Sequence, residues 1–207
     1  MLRFGRMLKM GENNMRPLTC VVAVLAFVSA AYESAQAQQP GITYDCDTAT
    51  DSFSELVLPA PGLAFSVIGR VRLNKIASIN KYAPLTRVQI SSPPARPGQT
   101  PEQAIGFELS ALPAKSLKIK GVSNRSIVQF ITWDERIDGK TKSHDLLGPV
   151  EYSDSLSFSI TYDGSNVAIK IGSQETKIPL IEKTPVVRLI CSTGEFLYTD
   201  LRIEKAP

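Results

Sequence analysis

The strongest signal along the chain is a strict alternation of apolar and polar side chains. In residues 155–162, Leu156, Phe158, Ile160 and Tyr162 occupy one phase and Ser155, Ser157, Ser159 and Thr161 the other. That period places one face of an extended strand on a core and the other on water. The pattern recurs with Phe65, Val67, Val71 and Leu73 against Ser66, Arg70, Arg72 and Asn74, and with Ile105, Phe107 and Leu109 against Glu108 and Ser110. It recurs again with Val167, Ile169 and Ile171 against Lys170, and in shorter form at Val88 and Ile90 and at Leu117 and Ile119. Residues 127–133 (IVQFITW) are apolar on both phases, the expectation for a central strand covered on both sides. After residue 40 no stretch sustains the three-four apolar repeat of a helix. The pattern predicts an all-β chain of roughly ten to twelve short strands, an antiparallel sandwich or barrel.

Turn chemistry separates the strands. Asp163-Gly164-Ser165-Asn166 predicts a tight hairpin between Tyr162 and Val167, and Ser192-Thr193-Gly194 divides the tail from Val186 to Glu204 into two strands. Residues 91–103 (SSPPARPGQTPEQ) hold four prolines and cannot pair as a central strand. The segment from Asp134 to Ser155 is polar and reads as a loop with a turn at Asp138-Gly139-Lys140. Tyr162 is assigned to the core and Tyr198 to an outward face.

The amino terminus carries a different signal. Arg16 precedes fourteen uncharged residues, Leu18 to Ala31, and Ala35-Gln36-Ala37 offers a small-x-small cleavage site. This is the layout of a cleavable secretory signal peptide over residues 1–37. The apolar run falls short of the roughly 20 residues that span a bilayer, so no permanent membrane span is expected after cleavage. Met15 followed by Arg16 would make a conventional start, which makes residues 1–14 a candidate start-site artefact. Cys20 lies at the beginning of the apolar run, the wrong end for a lipoprotein. The expected mature protein, residues 38–207, is one domain that is periplasmic or secreted.

Charge narrows the partners. Of 23 basic and 20 acidic side chains, Arg3, Arg6, Lys9, Arg16, Glu12 and Glu33 lie in the leader, leaving 19 and 18. A near-neutral domain lacks the basic excess of a nucleic-acid binder. One histidine and three cysteines exclude most metal clusters and every scheme needing two imidazoles. The mature chain keeps Cys46 and Cys191, which in an oxidising compartment form either a disulfide or two buried thiols.

The order of segments adds to this reading. FSVIGRVRL, APLTRVQISS, AIGFELSAL and LKIKGV, followed by SLSFSITYDGSNVAIKIG and FLYTDLRIE, resemble the strand succession of laminin-G-like and concanavalin A-like lectin jelly rolls across most of residues 42–204. The resemblance implies a jelly-roll sandwich whose first and last strands lie side by side. That arrangement would bring Cys46 towards the final hairpin and favour a Cys46–Cys191 bridge.

Catalytic chemistry is thin. Polysaccharide-cleaving members of the resembling group carry a Glu-x-Asp-x-Glu spacing that points three carboxylates into a cleft. Here the nearest stretch is Trp133-Asp134-Glu135-Arg136-Ile137-Asp138, in which only Asp134, Arg136 and Asp138 share a face. His144 is flanked by Ser143 and Asp145, neighbours too close in sequence to build a nucleophile, base and orienter, so it reads as a surface histidine. No HExxH, CxxC or twelve-residue calcium loop is present, and neither a metal nor a cofactor is expected.

What remains is recognition. Sugars stack an apolar ring face on an aromatic side chain and hydrogen-bond at their edges. The candidate ligand-binding residues are Trp133, Tyr152 and Tyr82, with Asp134 and Arg136 nearby in sequence; Trp133 also has the pattern of a core residue. The leading expectation is an exported, non-catalytic module recognising a glycan or an envelope protein. The alternatives are a polysaccharide-active hydrolase or lyase and a structural envelope component without a small ligand.

Overall fold

The computed structural model describes residues 41–114, 127–142, 144–150 and 155–206. Leu117, Ile119, Tyr152 and the proposed signal segment lie outside the described residues. Eleven strands are present among the described residues: β1 (Ile42–Pro59), β2 (Phe65–Ile76), β3 (Leu85–Ser91), β4 (Ala104–Pro113), β5 (Ile127–Ile137), β6 (Lys140–Lys142), β7 (Pro149–Val150), β8 (Leu156–Tyr162), β9 (Asn166–Ile171), β10 (Gln174–Pro179) and β11 (Val186–Lys205). Every pairing is antiparallel. No described helix is long and apolar enough to cross a membrane.

The alternating residues face the interior. Phe65, Val67, Val71, Phe158, Ile160, Tyr162, Val167, Ile169 and Ile171 are buried, as are Val88, Ile90, Ile105, Phe107 and Leu109. Phe107 of β4 meets Phe158 of β8 with ring centroids 5.3 Å apart, so the two halves of the sheet pack face to face. The Asp163–Asn166 hairpin forms, with Gly164 at φ 92 and the Asp163 carboxylate accepting the Ser165 and Asn166 amides at 2.9 and 2.7 Å. Those amides favour the ionised carboxylate and hold its pKa well below the usual range.

Four expectations need correction. The tail is one continuous strand, because Ser192-Thr193-Gly194 bends β11 without ending it. Its residues Val186–Ser192 pair with β3, and Gly194–Lys205 pair with β2. Among the described strands, residues 127–133 are not central: β5 has β4 on one side and only the short β6 and β7 on the other. Pairing also runs through Ile137 and into β6, so the segment read as a loop from Asp134 begins with a hairpin. Asp138 and Gly139, at φ 49 and 73, make its tight turn.

Tyr198 is the fourth correction, since it is fully buried. Its ring packs edge-on to Phe158 at 6.3 Å and its hydroxyl bonds that of Thr86. Burial pushes the Tyr198 phenol above its ordinary pKa. Both phases of FLYTD offer apolar residues, and the left-handed Asp200 at φ 54 shifts the register so that Phe196, Tyr198 and then Leu201 face inwards.

The bend in β11 has a matching break in β1. Between the Thr48–Gly194 and Phe53–Ser192 pairs, residues 49–52 of β1 stand opposite Thr193 alone. Asp51 and Thr193 both take left-handed backbone, at φ 59 and 53, an unusual state for a β-branched residue. The Asp51 amide donates to Thr193 Oγ1 at 3.3 Å, and Thr48 Oγ1 donates to the Gly194 carbonyl at 2.9 Å. Only glycine fits at 194, where a Cβ would sit 2.8 Å from the Lys75 carbonyl oxygen.

Next to this corner, Cys46 of β1 and Cys191 of β11 form a disulfide, with Cα atoms 6.2 Å apart and both residues buried. The bridge spans 145 residues of sequence, so in the chain-entropy picture it removes much freedom from the unfolded state. Replacing both cysteines with alanine should lower unfolding free energy by about 2–5 kcal/mol, read from urea titrations of the two proteins. An unchanged midpoint would mean that the bridge contributes nothing to folding.

Candidate functional site

The half of the sheet formed by β1, the first part of β11, β3, β4, β5 and β6 carries a groove on its outer face. Its volume is about 370 Å³. Apolar contributions come from Phe53, Leu85 and Ile190, and polar ones from Glu55, Arg87, Gln89, Asp134, Arg136 and Arg188. Period two explains the placement. Arg188, Ile190 and Ser192 point outwards from β11, while Val187, Leu189 and Cys191 enter the core. Likewise Arg87 and Gln89 alternate on β3 with the buried Val88 and Ile90.

A chain of polar contacts runs across the floor. Arg188 Nε donates to Glu55 Oε1 at 2.5 Å, and Arg188 Nη1 donates to Gln89 Oε1 at 3.2 Å. Gln89 Nε2 then donates to Asp134 Oδ2 at 2.5 Å. Arg87 stands 3.3 Å from the same oxygen and 2.7 Å from Glu108 Oε2, while Ser110 donates its hydroxyl to the other Glu108 oxygen. The side chains of Glu55 and Arg188 are only 10% and 5% exposed, so this pair is desolvated.

Register makes the contacts possible. Arg188 lies opposite Gln89, Gln89 opposite Gly106, and Gly106 opposite Asp134. A Cβ at 106 would fall 1.9 Å from the Val88 carbonyl oxygen, so glycine permits the close approach of β3 and β4 beneath the Gln89–Asp134 contact.

The sequence-derived candidates divide. Asp134 and Arg136 line the groove together, and Tyr82 stands at its rim, 44% exposed. Asp51 holds that rim: its Oδ1 accepts the Lys81 and Tyr82 amides at 2.7 and 3.0 Å, and its Oδ2 accepts Asn80 Nδ2 at 2.9 Å. The Tyr82 amide bond, followed by the others, lowers the Asp51 pKa. Lys81 Nζ lies 4.8 Å from the Tyr82 ring centroid. Trp133 is not a groove residue. It sits opposite Phe107, on the other face of β5 from Asp134, and packs against the core. Asp138 lies in the exposed turn, away from the groove lining, and Tyr152 lies outside the described residues. His144 is half-buried and meets Glu135 Oε2 at 2.8 Å, where Glu135 also pairs with Lys142.

Sequence reasoning missed Glu55, Arg87, Gln89 and Arg188. The signal for Arg188 was a lone charge in the apolar stretch VVRLIC, and for Arg87 and Gln89 it was the outward phase of TRVQIS. The chemistry left to a ligand is uneven. Glu55, Glu108 and Asp134 are all engaged by arginine or amide donors, whereas the side-chain hydrogen bond of Arg136 among the described residues goes to Thr141 Oγ1, at 3.1 Å. Its Nε is buried with no hydrogen-bond partner among the described residues.

No family model matches the chain. No curated protein matches it. Among solved structures, the polysaccharide lyase family 18 protein aly-SJ02 r-CATD is similar, with a TM-score of 0.51 at 8% identity, over 83% of this chain and 90% of that chain. The fold is a concanavalin-like jelly roll. The carbohydrate binding module CBM66 from Bacillus subtilis is similar at a TM-score of 0.47 and 8% identity, over 81% of this chain and 98% of that chain. An alginate lyase from Corynebacterium sp. is similar at 0.49 and 12% identity, over 82% and 79%. At such identities the likeness is one of architecture.

The groove floor makes two stability predictions. Arg188→Met should destabilise by about 3–5 kcal/mol, because it leaves the Glu55 carboxylate buried and unpaired. Urea unfolding checks this, and a loss below about 1 kcal/mol would mean that the pair is solvated. Burial raises the Asp134 pKa against the opposing pull of Arg87 and Gln89. The folded state therefore holds the Asp134 proton to higher pH than the unfolded chain, and stability falls as pH rises from 3.8 to the raised value. Asp134→Asn should remove that part of the pH slope; an unaltered slope in acid unfolding curves would contradict the raised value.

Proposed function

We propose that residues 38–207 act after export as a non-catalytic module that binds a glycan in the outer-face groove. The observation that carries this reading is a preorganised floor of Arg87, Gln89, Asp134 and Arg188, bordered by apolar side chains and by the exposed ring of Tyr82. Fixed donors and acceptors match sugar hydroxyls, while Tyr82, Leu85 and Ile190 suit the apolar faces of the ring. Arg136 adds donors that no carboxylate neutralises among the described residues.

Binding is favoured over cleavage because a general acid or base needs a carboxyl group free to exchange a proton with the ligand. Glu55 and Glu108 are committed to arginines, and Asp134 is held by Gln89 and Arg87. One observation keeps polysaccharide cleavage as the second reading: Asp134 is a carboxyl of raised pKa in a cleft, a setting associated with catalysis. Export to the periplasm or beyond is supported by the leader pattern and by the Cys46–Cys191 bridge, a bond kept in oxidising compartments.

A glycan array followed by calorimetry on the processed protein tests the proposal. Tyr82→Ala and Arg136→Ala should each weaken the best ligand by about tenfold, or about 1.4 kcal/mol, with unfolding midpoints unchanged. Absence of any sugar binding by a folded sample would reject the binding reading. Release of new reducing ends or unsaturated products, abolished by Asp134→Asn, would favour the enzyme.

A further inference from the structure

The two sides of the groove differ in construction. The lining crosses β11, β3, β4 and β5 and reaches β6 at Thr141. On the opposite side it meets β1, which among the described strands pairs with β11 alone and stands at the sheet edge.

That edge is built up by the loop 92–103. The loop leaves β3 at Ser91 and returns to β4 at Ala104, yet its tip extends sideways onto β1. Gly98 donates its amide to Glu55 Oε2 at 3.3 Å, and a Cβ on Gly98 would lie 4.0 Å from Phe53 Cζ. Gly98 takes φ 76, a left-handed conformation that suits glycine. Glu55 is itself clamped by Arg188, so the tip is tied to the buried floor.

The remainder of the loop is also fixed. Ser92 donates its amide to the Gln103 carbonyl at 3.0 Å, and Gln99 donates to the Arg96 carbonyl at 3.0 Å. On the returning arm, the Gly139 amide of the β5–β6 turn donates to the Glu102 carbonyl at 2.9 Å. Pro93, Pro94, Pro97 and Pro101 fix φ along the path and remove backbone donors that would otherwise need partners. The loop is thus a braced wall whose residues Gly98, Thr100 and Pro101 line the groove.

We infer that the groove is blind at β1 and accepts the terminal units of a glycan chain rather than a segment of chain interior. This rests on the glycan-binding reading. A polymer lying across the strands has to leave on both sides, and at β1 the loop tip stands in the way, with Gly98 bonded to the Glu55 carboxylate of the floor and lying against Phe53. On the other side the described lining reaches Arg136 and Thr141 on the sheet itself, where the continuing chain would depart.

The test uses the processed protein with dextran, xylan, alginate and chondroitin sulfate. Each is offered intact and after partial depolymerisation, at equal mass, in a competition assay. Cutting a polymer to about one tenth of its length multiplies its ends about tenfold, and the mass needed for half-saturation should fall by the same factor. Phe53→Ala, a change at an exposed side chain, should reduce this preference and improve binding of the intact polymer. A second variant, with residues 94–100 replaced by two glycines, should do so more strongly.

Equal binding of intact and shortened polymer by mass would overturn end recognition while leaving the glycan reading in place. An end preference untouched in both variants would overturn the wall as its cause. Failure of all four polymers and their fragments to bind a folded sample would overturn the glycan reading, and end recognition with it.

Discussion

A single strand, β11, runs through both layers of the sandwich and ties one to the other. β11 supplies a central member to each half of the sheet, and its partner changes from β3 to β2 across Thr193. A chain that bends there must place a β-branched residue in left-handed backbone and leave several residues of β1 without ordinary ladder partners. The cost is met locally by Thr48, Asp51 and Gly194, and the corner is fastened to β1 by the buried Cys46–Cys191 bridge. Strands that pass between layers through bends of this kind are a general solution to closing a sheet on itself. Here the corner does more: Asp51, the other left-handed residue, also accepts the amides that hold Tyr82 at the groove rim.

The groove floor follows from the same architecture. With Val187, Leu189, Val88, Ile90, Ile105 and Phe107 committed to the interior, the residues between them are forced onto the outer face. On a freely solvated sheet those positions would hold loosely arranged charges of little energetic weight. Loop 92–103 and the β1 edge cover part of this face, and the covered charges accordingly form a connected set in which Glu55, Asp134 and Glu108 each have donors. Such a floor is stiff. Stiffness favours recognition of a rigid ligand, because little side-chain freedom is lost on binding.

Much of the fold was legible in the chain, since period two sorts inward from outward residues wherever one phase is cleanly apolar. Phe65 to Leu73 and Leu156 to Tyr162 are examples. The reading failed where the backbone departs from that period. Asp200 displaced the phase of the closing strand and turned Tyr198 inwards, and Thr193 bent a strand at a place that resembled a turn. The site was half legible. Asp134 and Arg136 stood out through spacing, but Trp133 alternates with Asp134 and so had to face the core. Arg87, Gln89, Glu55 and Arg188 come from three separate strands, and only the pairing of β1, β11 and β3 brings them together.

Glycan recognition as proposed requires that the ligand sit in the outer-face groove. Amide and arginine side-chain NMR spectra, recorded while an oligosaccharide selected on the array is titrated in, test this most directly. The predicted result is a cluster of saturable shifts at Tyr82, Arg87, Gln89, Asp134 and Arg136, with Ser157, Ser159 and Lys170 on the outward face of the other layer unmoved. Shifts confined to β8, β9 and β10, with the groove silent, would contradict it.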